Sequence, residues 1–84
     1  MSLWRIRITM PDDLGGHELL TAALAAQRVW SLLRSPHDTE LTVDMLIELS
    51  GVDGLDALLG KLHMISPQVF VSNADQSAPL ATAQ

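Results

Sequence analysis

Ile6-Arg7-Ile8-Thr9-Met10-Pro11-Asp12-Asp13-Leu14-Gly15-Gly16, followed by Leu20-Thr21-Ala22-Ala23-Leu24-Ala25, is the stretch on which the fold turns. Its first part belongs to an alternating segment, residues 3–10. Trp4, Ile6, Ile8 and Met10 fall on one side, and Leu3, Arg5, Arg7 and Thr9 on the other. A period of two is the mark of a half-buried strand. Pro11 has no N–H to give to a sheet ladder, so the strand stops there, and Asp12, Asp13, Gly15 and Gly16 form a turn. Over residues 17–28 the period lengthens. Leu20, Ala23, Leu24 and Gln27 recur at helical spacing, Leu19, Ala22 and Ala26 widen the stripe, and the alanines favour helix by propensity.

Working outward, residues 29–34 make a short apolar strand, and Ser35, Pro36, His37, Asp38 and Thr39 give a loop longer than a tight two-residue turn. Leu41, Val43, Met45, Ile47 and Leu49 then alternate with Thr42, Asp44, Leu46 and Glu48, a second clear strand. Gly51 breaks that pattern. Asp53 is the expected N-cap of a second helix carrying Leu55, Leu58, Leu59, Leu62 and Ile65, within which Gly60 costs about 1 kcal/mol relative to Ala. Ser66 and Pro67 end it, residues 69–72 form a last strand, and residues 73–84 read as a flexible tail. The order βαββαβ, with short connections and right-handed crossovers, predicts an α+β ferredoxin-like sandwich over residues 1–72. In it the third strand lies between the first and second, and both helices cover one face of a four-stranded antiparallel sheet.

The 84 residues are 48% hydrophobic, contain no cysteine and carry 10 acids against 5 bases, for a net charge of -5. One thin core is all that such a length allows. Without Cys there is neither a disulfide framework nor a thiolate metal site. The basic residues are Arg5, Arg7, Arg28, Arg34 and Lys61, too few for the face that neutralises nucleic-acid phosphates. Apolar runs fall short of the ~18 to 20 residues that span a bilayer. Arg5 and Arg7 lie inside the first apolar run instead of ahead of it, so the opening is no signal peptide and a cytoplasmic location is expected.

Catalytic readings fail on composition. His17-Glu18-Leu19-Leu20-Thr21 starts like a zinc-binding His-Glu-x-x-His, but Thr21 stands where the second histidine belongs, and neither His37 nor His63 is spaced to replace it. His63 reads as a helix-end residue and His37 as a loop residue. Ser35 and Ser50 read as turn residues with no base beside them. An acylphosphatase-like phosphate cradle after the first strand is excluded by Asp12 and Asp13, which repel phosphate. Arg5 and Arg7 are expected to pair across strands with Asp44 and Glu48. No catalytic residue, metal or cofactor is expected.

The loop remains. Two glycines permit a sharp turn with positive φ and leave the amides at the helix start uncovered, a place that attracts a carboxylate, while Asp12 or Asp13 suits an ammonium group. The same residues also make a plain strand-to-helix turn. The quoted stretch resembles the opening of ACT domains, in which a hydrophobic strand ends in an Asp-Arg-Pro-Gly type turn before a Leu/Ala-rich helix. Leu41-Thr42-Val43-Asp44-Met45-Leu46-Ile47-Glu48-Leu49, Leu55-Asp56-Ala57-Leu58-Leu59 and Pro67-Gln68-Val69-Phe70-Val71 look like later elements of the same domain, so the resemblance covers about residues 3–72. It implies a small, usually paired regulatory domain that binds an amino acid. The ligand-facing residues it implies are Asp12, Asp13, Leu14, Gly15, Gly16 and His17. Leu14 stands where the family usually has proline, and His17 where it has a buried aliphatic residue. Around Arg28, Val29 and Trp30 the usual Gly and Asn are missing, so Trp30 is expected to fill the pocket instead, while His17 either meets a bound carboxylate, lies on solvent or packs over Trp30.

Self-association follows from a separate observation. Helices cover one face of such a sheet only, and Leu3, Leu33, Leu46 and Phe70 are expected on the other, where burial of each is worth about 1.5 to 3 kcal/mol. A homodimer or higher homo-oligomer is therefore expected. The alternative to ligand binding is a ligand-free interaction module that uses this face.

Overall fold

The chain runs β1 (Ser2–Pro11), α1 (Leu14–Leu24), β2 (Arg28–His37), β3 (Glu40–Leu49), α2 (Val52–His63) and β4 (Gln68–Asn73). This is a computed structural model that describes residues 2–74, so all but the first two residues of the expected tail lie outside the described residues, and Asn73 belongs to β4. The sheet is antiparallel throughout in the order β2-β3-β1-β4. It is the expected ferredoxin-like α+β sandwich.

The two alternating stretches build it. β1 and β3 pair without interruption from Ser2 opposite Leu49 to Pro11 opposite Glu40. That register puts Ile6, Ile8 and Met10 on the same face as Leu41, Val43, Met45, Ile47 and Leu49, and all eight are buried. Leu20 and Ala23 of α1 and Leu55, Leu58 and Leu62 of α2 close over them. A strand has a period of two, so a one-residue slip would carry the whole apolar set to solvent, and this fixes the register. Trp4 packs at one end of the core with its indole N–H lacking an acceptor among the described residues, at a cost of about 1 to 3 kcal/mol. At the other end buried Ser66 donates its hydroxyl to the Thr9 carbonyl and accepts the Gln68 N–H at 3.1 Å, which ties the α2–β4 connection to the last β1–β4 pair.

Five local expectations are corrected. α1 starts at Leu14, three residues earlier than the periodicity indicates, and ends at Leu24. Gly15 and Gly16 therefore lie in its first turn and neither has positive φ, since Gly51 is the one glycine among the described residues that does. The β2–β3 hairpin turns on two residues, Asp38 and Thr39, between the His37–Glu40 pair. Asp38 takes a left-handed φ of 55°, which a short Asp side chain tolerates. Pro36 reads as a breaker in sequence but fits here because β2 is an edge strand, where a missing N–H costs no ladder bond. At α2 the N-cap is Gly51 and Asp53 lies in the first turn, near the positive end of the helix dipole. The outer strands are also longer than their apolar runs suggest.

The face away from the helices carries Leu3, Arg5, Arg7 and Thr9 of β1, Thr42, Asp44, Leu46 and Glu48 of β3, Phe70 of β4 and Leu33 of β2. Arg7 pairs with Asp44 at 2.7 Å, as expected. Glu48 instead accepts the Trp30 indole N–H at 2.9 Å, and Arg5 has no ion pair among the described residues.

Candidate functional site

The loop between β1 and α1 is held from three directions. The Asp12 N–H donates to the Thr39 carbonyl at 2.9 Å, which pins the loop to the hairpin turn. Asp13 is the N-cap of α1, and its Oδ1 accepts the Gly16 N–H at 2.7 Å. This is the bond that a capping Asp makes to the third residue of a helix. Gly16 itself sits against the end of β1, because a Cβ built on it would lie 2.7 Å from Met10 Cε and 3.0 Å from the Pro11 carbonyl oxygen. The glycine is required there by a close approach, not by a special φ. A Cβ on Gly15 would meet nothing nearer than Asp13 Oδ1 at 3.7 Å.

The polar groups are thus divided. The His17 ring pairs with Asp12, Nε2 to Oδ1, at 2.7 Å, and the two side chains are each about one-third exposed. Asp13 is used in capping, and the His17 amide bonds the Asp13 carbonyl at 3.0 Å. The Leu14 and Gly15 amides, also in the first turn, have no acceptor among the described residues. They lie at the positive end of α1 within a few residues of the Asp12 carboxylate. A shallow apolar trough of about 460 Å³, lined by Leu14, His17, Glu18, Thr21, Ala22 and Ala25, runs from the loop along α1. Among the described residues no group of three or more His, Asp or Glu could hold a metal ion.

No family model matches the chain and no curated protein is significantly similar to it in sequence. Solved structures are similar in fold. The ACT domain of GTP pyrophosphokinase from Chlorobium tepidum superposes with a TM-score of 0.70 at 24% identity, over 86% of this chain and 96% of that one. The fold is that of an ACT domain. An uncharacterized protein from Thermotoga maritima matches with a TM-score of 0.73 at 17% identity, over 86% of this chain and 95% of its own. In a formyltetrahydrofolate deformylase from Burkholderia mallei the same fold, at TM-score 0.66 and 16% identity, covers 87% of this chain but 28% of that enzyme.

Of the residues implied by the resemblance, this ACT fold brings Asp12, Asp13, Leu14, Gly15, Gly16 and His17 together and leaves Trp30 elsewhere. β2 is parallel to β1, because both are antiparallel to β3, so the start of β2 is level with the start of β1. Val29 lies opposite Ile47, which lies opposite Trp4. From there to Pro11 is seven residues, about 24 Å at ~3.4 Å per residue. Trp30 sits at a bulge, 63% exposed and bonded to Glu48, on the face away from the helices. It neither fills a pocket at the loop nor lies under His17. Thr39, which sequence reasoning did not connect with the loop, carries no local signal of that role, whereas the spacing of Asp13 to Gly16 was a readable capping signal.

Asp13→Ala is expected to lower stability by about 1 kcal/mol through loss of the cap. Urea denaturation measures it, and an unchanged midpoint would show that the cap bond contributes nothing.

Proposed function

We propose that the chain is a cytoplasmic regulatory domain that pairs with a second copy and binds a small amino acid at residues 12–17, acting by binding and not by catalysis. The observation that carries this reading is the pair of amides, Leu14 and Gly15, that have no acceptor among the described residues and follow Asp12 within three positions of the chain. The ligand carboxylate accepts those two amide bonds at the helix start, where the dipole favours negative charge. Its ammonium group bonds Asp12, and its side chain lies along the trough between Leu14 and Thr21. Among the described residues no helix is long and apolar enough to cross a membrane.

Calorimetric titration with each of the twenty amino acids at millimolar concentration, together with amide shift mapping, tests the site. At least one is expected to give heat and to shift the Leu14 and Gly15 amides, and silence from all twenty sinks the proposal. A second reading, a ligand-free interaction module, is favoured by Trp30, Leu33 and Phe70, which are all more than half exposed. Gly15→Val separates the two. It abolishes ligand binding by covering the amides, and under the second reading it leaves assembly intact.

A further inference from the structure

The strand register places four outward side chains in one row across the sheet. Leu33 of β2 is opposite Asp44 of β3, Asp44 opposite Arg7 of β1, and Arg7 opposite Phe70 of β4. Leu33 is 64% exposed and Phe70 68%. The row reads apolar, acid, base, apolar. Shallow depressions of about 230 and 290 Å³ lie on either side of Arg5 and Arg7, one toward Phe70 and the other toward Leu33. The next row, Ser31, Leu46, Arg5 and Ser72, differs, with an apolar and a basic residue at its centre and serines at its flanks.

We propose that this face is an interface with a second copy of the chain, packed sheet to sheet about a two-fold axis that runs along the strands between β3 and β1. Such an axis exchanges β1 with the partner's β3 and β2 with the partner's β4 while keeping every residue at its own level. Leu33 then faces the partner's Phe70, Phe70 the partner's Leu33, Asp44 the partner's Arg7 and Arg7 the partner's Asp44. Every contact in the row joins like polarity or opposite charge. A two-fold axis across the strands would instead stack Arg7 on the partner's Arg7 and Asp44 on the partner's Asp44, and like charges brought together are strongly disfavoured. The charges therefore choose the axis. Neighbouring strands ~4.8 Å apart and a rise of ~3.4 Å per residue give the face a footprint of roughly 500 Å². Two such faces, corrugated by side chains, reach the ~1,000 Å² that a specific interface needs. Sheets at ~10 Å separation leave room for Leu33 and Phe70 to interdigitate.

This inference rests on the pairing proposed above and not on the ligand. It is tested by mass in solution, using sedimentation on the full chain. Wild type is expected at twice its 9.1 kDa. Leu33→Lys and Phe70→Glu, both at exposed sites, are each expected to weaken self-association at least tenfold while leaving circular dichroism unchanged. An equimolar mixture of the two variants is expected to return to the doubled mass, because Lys at 33 of one chain then faces Glu at 70 of the other. A monomeric wild type overturns pairing itself. A dimeric wild type whose single variants remain dimeric, or whose variants stay monomeric when mixed, overturns this face and axis but leaves pairing standing.

Discussion

Ile8→Ala is expected to cost about 2 to 5 kcal/mol, the range for deleting a buried aliphatic side chain and leaving a cavity. Ile8 is fully buried on a central strand, with Val43 opposite on β3 and Val69 opposite on β4. Two hydrogen-bonded neighbours fix its backbone, so the surroundings collapse little into the space vacated. A domain of this length holds roughly 4 to 12 kcal/mol in total at 0.05 to 0.15 kcal/mol per residue. A loss of ~3 kcal/mol lowers the melting temperature by about 12 to 24 °C. Thermal and urea denaturation measure this, and a cost below ~1 kcal/mol would show that the sheet does not enclose Ile8 as described. Leu33→Ala, exposed within the single chain, is expected to change the stability of the monomer by no more than about 0.5 kcal/mol, and to cost more where two copies pair through that face.

Gly16→Val is the second large effect, expected at about 2 to 3 kcal/mol. Even the first added carbon falls 2.7 Å from Met10 Cε and 3.0 Å from the Pro11 carbonyl oxygen. Met10 is buried, so its flexible end moves only by disturbing the core, and the Pro11 carbonyl belongs to a strand held opposite Glu40. The two γ carbons of Val add to the overpacking. Gly16→Ala is milder at about 1 kcal/mol, because the better helix propensity of Ala offsets part of the clash. Gly15→Ala is expected to have the opposite sign, a gain of about 0.5 to 1 kcal/mol, since its Cβ meets only an ordinary contact and the unfolded chain loses freedom. Denaturant titration of the three variants gives the order directly. Equal effects at 15 and 16 would overturn the close approach of α1 to β1.

Much of the fold was legible because burial acts through periodicity. β1 and β3 alternate strictly, and the structure buries every residue that the alternation assigned to the inner face from Ile6 to Met10 and from Leu41 to Leu49. The stripe of α2 is equally plain in Leu55, Leu58 and Leu62. What was misread is the punctuation. Gly15 and Gly16 look like a turn, but a capping bond from Asp13 draws them into the helix. Pro36 looks like a terminator, yet its consequence depends on which strand lies at the edge, and no residue near Pro36 records that.

For the site, the local cluster of residues 12–17 could be read from sequence because its members are neighbours along the chain, and the placement of Trp30 could not. Its position follows from β2 running parallel to β1, a consequence of sheet order. The sequence alone determined the elements, the two faces of the sheet and the loop at the start of the first helix, since each is set by interactions within a few residues or by a repeating pattern. Only the tertiary structure decided that Gly16 must be glycine, that Asp12 is pinned to Thr39 and that Leu33, Asp44, Arg7 and Phe70 share one row. Those facts depend on which residues meet after the chain has closed on itself, and register across strands is a long-range quantity that no local stretch contains.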